Sequence, residues 1–180
     1  MWRPIAIVLA VAVTGAGCGA RDAVTAKPTP VPRCPEGTPF VKARDIVGSP
    51  VPAGFELLRA DPAAMDPFAN QFKDRIGTAW RGYDARVLVH EGKRVGAAVV
   101  VINAKDQTGG TGLVDGLERA ASDRDVDTEQ LSIAGRDGRL IQAVDGAYLA
   151  TAPARRCAIV FLVADRKKLV TEAAAVIPPE

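Results

Sequence analysis

Beyond the N-terminal segment, two eight-residue stretches of the chain are apolar at every position. Val95 to Ile102 runs Val-Gly-Ala-Ala-Val-Val-Val-Ile, and Cys157 to Ala164 runs Cys-Ala-Ile-Val-Phe-Leu-Val-Ala. A strand with both faces apolar is a strand covered on both sides. The pattern therefore predicts two buried strands, over Arg94–Asn103 and Cys157–Ala164. Ala85–His90 joins the first through the short glycine-containing turn Glu91-Gly92-Lys93. Gly54–Ala60 reads as a further strand, and Thr38–Val47 as a short element of undefined type.

Helical spacing appears in three places. Met65, Phe68, Phe72 and Ile76 fall three or four residues apart, after Asp61 as N-cap and Pro62 at the first helical position, and before Gly77. Their expected role is core packing. Leu113, Val114, Leu117, Ala120 and Ala121 form a second stripe. Leu169, Val170, Ala173, Ala174, Val176 and Ile177 form a third, with Asp165 as its expected cap and Pro178 and Pro179 as its stop. Between the last two, Gln130–Ala134, Arg139–Val144 and Ala147–Thr151 read as strands, with turns expected at Arg136-Asp137-Gly138 and Asp145-Gly146. The predicted fold is α+β: an antiparallel sheet of five to seven strands packed with three helices. The order hairpin, apolar strand, loop, helix occurs twice, over Tyr83–Ala121 and Ala147–Ile177, and suggests two ββα-like units.

The N-terminus follows other rules. Arg3 is the only charged side chain before Arg21, and Ile5 to Val13 is an unbroken apolar run. Nine residues are too few to cross a bilayer, which takes about 20. A basic start, a short apolar core and small residues make up the layout of a secretory signal. The small residues are Gly15, Ala16, Gly17, Cys18, Gly19 and Ala20. This segment resembles the lipobox of bacterial lipoproteins, in which the cysteine becomes the acylated first residue of the mature chain. Ala16 and Gly17 fit that pattern. Gly15 stands where the family usually has leucine or another aliphatic residue, and so leaves open ordinary signal-peptidase cleavage nearby, for example after Ala20. The resemblance covers about the first 20 residues and implies lipid attachment at Cys18 and export to the outer face of the cell membrane.

Residues 19–33 include Pro28, Pro30 and Pro32 and show neither periodicity. Alternating prolines favour an extended spacer of at most ~45 Å. The expected organisation is a signal over 1–17, the lipid-attachment cysteine and tether over 18–33, and a single globular domain over 34–180. Three cysteines are an odd number for an exported chain. With Cys18 lipidated, Cys34 and Cys157 remain as a possible disulfide. The alternatives are a buried free Cys157 and an exposed Cys34 that pairs with another chain.

Charge and composition exclude more than they suggest. The net charge of +2 lacks the basic excess of a nucleic-acid binder. His90 is the only histidine. Zinc needs three or four nitrogen or sulfur ligands, and a hydrolase nucleophile needs a base beside it. Ser49, Ser122 and Ser132 lie in no G-x-S-x-G elbow. Asp123, Asp125 and Asp127 alternate as in the start of a calcium loop, but Thr128 and Ala134 stand where that loop needs glycine and glutamate. Gly109, Gly110 and Gly112 lack the phosphate-binding lysine and the dinucleotide spacing. No cofactor and no metal site is expected. Arg166, Lys167 and Lys168, with Arg155 and Arg156, read as surface charge or as contacts to anionic head groups. Trp80, Arg81 and Tyr83 form the aromatic–arginine cluster best suited to binding, although aromatics equally favour cores.

The expected function is therefore a non-catalytic, membrane-anchored envelope lipoprotein whose domain binds a protein partner or a small ligand. Two alternatives stay open: an envelope hydrolase acting on glycan through an Asp/Glu pair, and a purely structural envelope component.

Overall fold

The computed structural model describes residues 34–179, apart from 36, 94, 107–110, 123–125, 144–145 and 155–156. The expected signal, Cys18 and the expected tether lie outside the described residues. So do Gly109, Gly110, Asp123, Arg124, Asp125, Asp145, Arg155 and Arg156.

Among the described residues seven strands form one antiparallel sheet in the order β1-β2-β3-β7-β6-β5-β4. They are β1 (Phe55–Arg59), β2 (Trp80–His90), β3 (Gly96–Ala104), β4 (Thr128–Ile133), β5 (Arg136–Gln142), β6 (Tyr148–Ala154) and β7 (Ala158–Ala164). Four helices accompany them: α1 (Ala43–Val47), α2 (Pro62–Ile76), α3 (Thr111–Ser122) and α4 (Lys167–Val176). The three expected helices are α2, α3 and α4. The fourth, α1, falls in the short element expected before Val47.

The two all-apolar strands lie side by side at the centre. β3 and β7 are buried at every position and pair from Ala98–Val163 to Asn103–Ala158. Alternate residues feed two separate cores. Val99, Val101, Val160 and Leu162 face α1 and α4, against Ile46, Val47, Val170 and Ala174. Val100, Ile102, Ile159 and Phe161 face α2 and α3, against Phe68, Phe72, Val114 and Leu117. An antiparallel sheet more often leaves one face to solvent. Here both are covered, which explains why its central strands carry no polar alternation.

The helix order qualifies the repeat. β2-β3-α3 and β6-β7-α4 follow the same sequence of elements, but α3 packs on one face of the sheet and α4 on the other. Turning one unit onto the other leaves the helices on opposite sides, so the two units do not superpose.

Local chemistry sets the boundaries. The Asp61 carboxylate accepts a hydrogen bond from Ala63 N (3.0 Å), and Pro62 opens α2, which ends at Gly77 with φ 55°. α4 begins differently from expectation. Its N-cap is Arg166, with no side-chain cap, while Asp165 lies 3.9 Å from the Arg166 guanidinium. The β4–β5 turn also shifts. It is made by Ala134 and Gly135, both at positive φ (54° and 74°), the pairing that a two-residue hairpin loop demands. Asp137 and Gly138 lie inside β5. Gly138 is required there for space: a Cβ would stand 2.5 Å from Thr151 O and 2.9 Å from Leu131 O.

Thr151 sits on the α2–α3 face of β6, opposite Phe161. It is 0% exposed, and among the described residues its hydroxyl has no hydrogen-bond partner. A buried unpaired hydroxyl costs about 1–3 kcal/mol. Thr151→Val, of the same shape, is expected to raise unfolding stability by about 1 kcal/mol in urea titration; a loss of stability would show that the hydroxyl is satisfied.

Candidate functional site

The N-terminal segment of the domain, residues 34–47, lies as a strap across the β2–β3 end of the sheet. Several attachments hold it, among them Arg81, whose Nη1 donates to Thr38 O. Cys34 is bonded to Cys157, with Cα atoms 6.2 Å apart, within the range a disulfide spans. Cys34 N donates to Lys105 O (3.1 Å). Asn103, 3% exposed at the end of β3, receives Val41 N on Oδ1 (2.8 Å) and donates from Nδ2 to Val41 O (2.9 Å). Asp84 accepts from Ala43 N at the start of α1 (2.8 Å). A buried amide that answers both backbone groups of one residue acts as a piece of strand edge. The one polar residue near the end of an otherwise apolar strand was the available signal for this role.

Of Trp80, Arg81 and Tyr83, the two aromatic rings come together and the arginine takes a separate contact. The β2–β3 register shifts between Trp80 and Gly82, pairing Trp80 with Ala104 and Gly82 with Asn103, so Arg81 is the extra residue of a bulge. That insertion turns Trp80 and Tyr83, three apart, onto the same α2 face, with ring centroids 6.5 Å apart. Arg81 serves the strap, donating from Nη1 to Thr38 O (2.7 Å). The Tyr83 hydroxyl donates to Asp66 Oδ1 on α2. Burial, then the Asp66 hydrogen bond and the nearby Asp66 and Asp84 charges, push the Tyr83 phenol from its ordinary 10.0 up to about 12. The side chains of this cluster knit β2 to α2 and to the strap, and Gly82 leaves room for Phe40, whose Cε2 would be 3.1 Å from a Cβ there.

His90 lies at the exposed end of β2. Its ring stacks against Phe55 (centroids 4.2 Å) and its Nε2 stands 3.2 Å from Glu172 Oε2 on α4. Lys168 Nζ reaches the other oxygen of Glu172 at 3.6 Å. No serine hydroxyl is among its hydrogen-bond partners. Among the described residues no three of His, Cys, Asp and Glu are grouped as metal ligands.

The basic cluster at the start of α4 is at the far end of the sheet from the clasp. Cys157 precedes β7 and Arg166 follows it, and seven residues of strand span roughly 23 Å at about 3.3 Å each. There Lys167 pairs with Glu129 and Lys168 with Glu172. Both lysines are thus engaged with acids of the domain itself.

Comparison with protein families, characterised proteins and solved structures finds no match.

Proposed function

We propose that the protein is an exported, non-catalytic lipoprotein, anchored through acylated Cys18 to the outer face of the cell membrane, whose domain binds a protein partner. The observation that carries this reading is the clasp. The chain passes from a proline-rich tether directly into Cys34, and Cys34 is bonded to Cys157, the residue just before the central strand β7. A structural disulfide suits an oxidising compartment and is rare in the cytosol. A tether fixed to the middle of the sheet transmits pull to its most buried strands, a useful arrangement for a domain held at a surface. The remaining chemistry supports binding more than catalysis: Asp84, Asn103, Arg81 and Tyr83 are each committed to internal contacts.

Cys18→Ala tests the anchor. The variant is expected to leave the membrane fraction, or to remain unprocessed, with a changed mature mass. Wild-type fractionation together with an unchanged mature mass would overturn the reading.

A further inference from the structure

β1 closes one edge of the sheet, and its pairing places two like charges together. Arg59 is directly opposite Arg86 on β2. Glu91 N donates to Gly54 O (3.0 Å), and hydrogen-bonded and non-hydrogen-bonded pairs alternate along an antiparallel ladder. Counting down from Gly54, Arg59 and Arg86 form a non-hydrogen-bonded pair, the type in which side chains come closest. Both lie on the face that carries Phe55, Leu57 and Leu88. Among the described residues neither guanidinium makes an ion pair or a hydrogen bond. The nearest acid along that face of β2, Asp84, is occupied by Ala43 N. Like charges directly opposite each other destabilise a sheet, and among the described residues nothing compensates this pair.

The same alternation turns the N–H and C=O groups of Leu57 and Arg59, and the C=O of Phe55, outward, away from β2, while Phe55 N–H donates to Pro52 O (3.1 Å). On the other face of β1, Leu58 is 43% exposed, one of two large hydrophobic side chains so exposed among the described residues. The edge therefore offers three things in register: outward backbone groups, two unpaired guanidiniums on one face, and an apolar side chain on the other.

We propose that β1 receives an extended acidic segment of a partner protein as an added strand, with a carboxylate against Arg59 and Arg86 and an apolar side chain over Leu58. Strand addition takes its affinity from main-chain hydrogen bonds and its specificity from alternate side chains, and carboxylates bind guanidinium pairs through charge-assisted bonds. A second copy of this chain fits less well. Antiparallel self-pairing of β1 about Leu57 sets Phe55 opposite Arg59, while Glu56, the only acid in β1, lies on the other face. The proposal rests on the reading of the domain as a protein-binding module and is independent of the lipid anchor.

The test uses the full chain and three fluorescein-labelled peptides read by anisotropy: one alternating valine and aspartate, one alternating valine and lysine, and the aspartate peptide N-methylated on the amides that would face β1. The aspartate peptide is expected to bind at least tenfold tighter than the lysine peptide at low salt, with the preference shrinking as salt rises. N-methylation is expected to abolish binding. Arg59→Glu and Arg86→Glu are each expected to keep the wild-type melting temperature or raise it, and to remove the preference for aspartate. Equal binding of the two charge types, full binding of the N-methylated peptide, or an undiminished preference in both folded variants would overturn the proposal. So would displacement of the peptide by millimolar inorganic phosphate, the mark of a simple anion site, or a dimer that dissociates in Arg59→Glu. A Cys18→Ala variant that stays in the membrane would count against the anchor and leave these outcomes untouched.

Discussion

Replacing Cys34 and Cys157 together by serine is expected to lower unfolding stability by about 4 kcal/mol, near the ~4.7 kcal/mol that closing a loop of roughly 100 residues contributes in the chain-entropy account. The bridged positions are 123 residues apart, so reduction frees most of the domain's unfolded chain. The strap then relies on its hydrogen bonds to Lys105, Asn103, Asp84 and Arg81 and on the buried side chains of Val41, Ile46 and Val47. The measurement is urea unfolding of oxidised wild type beside the double variant. A difference below about 1 kcal/mol, or free thiols at both positions in exported protein, would remove the clasp from the account.

Phe161→Ala is expected to cost about 3–5 kcal/mol, the range for emptying a large buried aromatic site. Phe161 lies on the central strand β7 with no exposed surface. Its ring meets Phe72 at 4.7 Å and Phe68 at 5.6 Å between centroids, so one deletion removes the floor on which α2 rests. Leu58→Ala, on the exposed edge, is the control and should change stability by less than about 0.5 kcal/mol. Equal effects at the two positions would mean that α2 is not seated on the sheet.

Much of this architecture is legible in the sequence because it depends on local chemistry. Asp61, Pro62 and Gly77 delimit α2 whatever lies around them, and the valine run of β3 and the apolar run of β7 announce strands covered on both faces. Features that depend on a distant neighbour are not legible. Asp137-Gly138 looks like a hairpin turn, yet Gly138 is there because Thr151 O and Leu131 O approach too closely for a Cβ. The Trp80, Arg81, Tyr83 cluster is contiguous in sequence, and a single inserted residue sorts its members onto different faces. The Arg59–Arg86 opposition is invisible until the register is known, since 26 intervening residues give no hint of which arginine meets which. The Cys34–Cys157 pair was within reach because the choice had narrowed to two cysteines.

The strand order also dictates a sequence of events in time. β1 to β3 and β4 to β7 are each built from neighbours in the chain, whereas the seam between them pairs positions as distant as Ala98 and Val163. Contacts between near neighbours form quickly, and those that close long loops form slowly. The two meanders are therefore expected to gain amide protection first and to join at β3–β7 afterwards, an order that hydrogen-exchange labelling during refolding reads directly. The strap is seated by Asp84 and Asn103 from the first meander, and its sulfur partner Cys157 comes from the second. Only joined halves bring Cys34 within reach of Cys157, so the clasp closes last and locks an assembly already made.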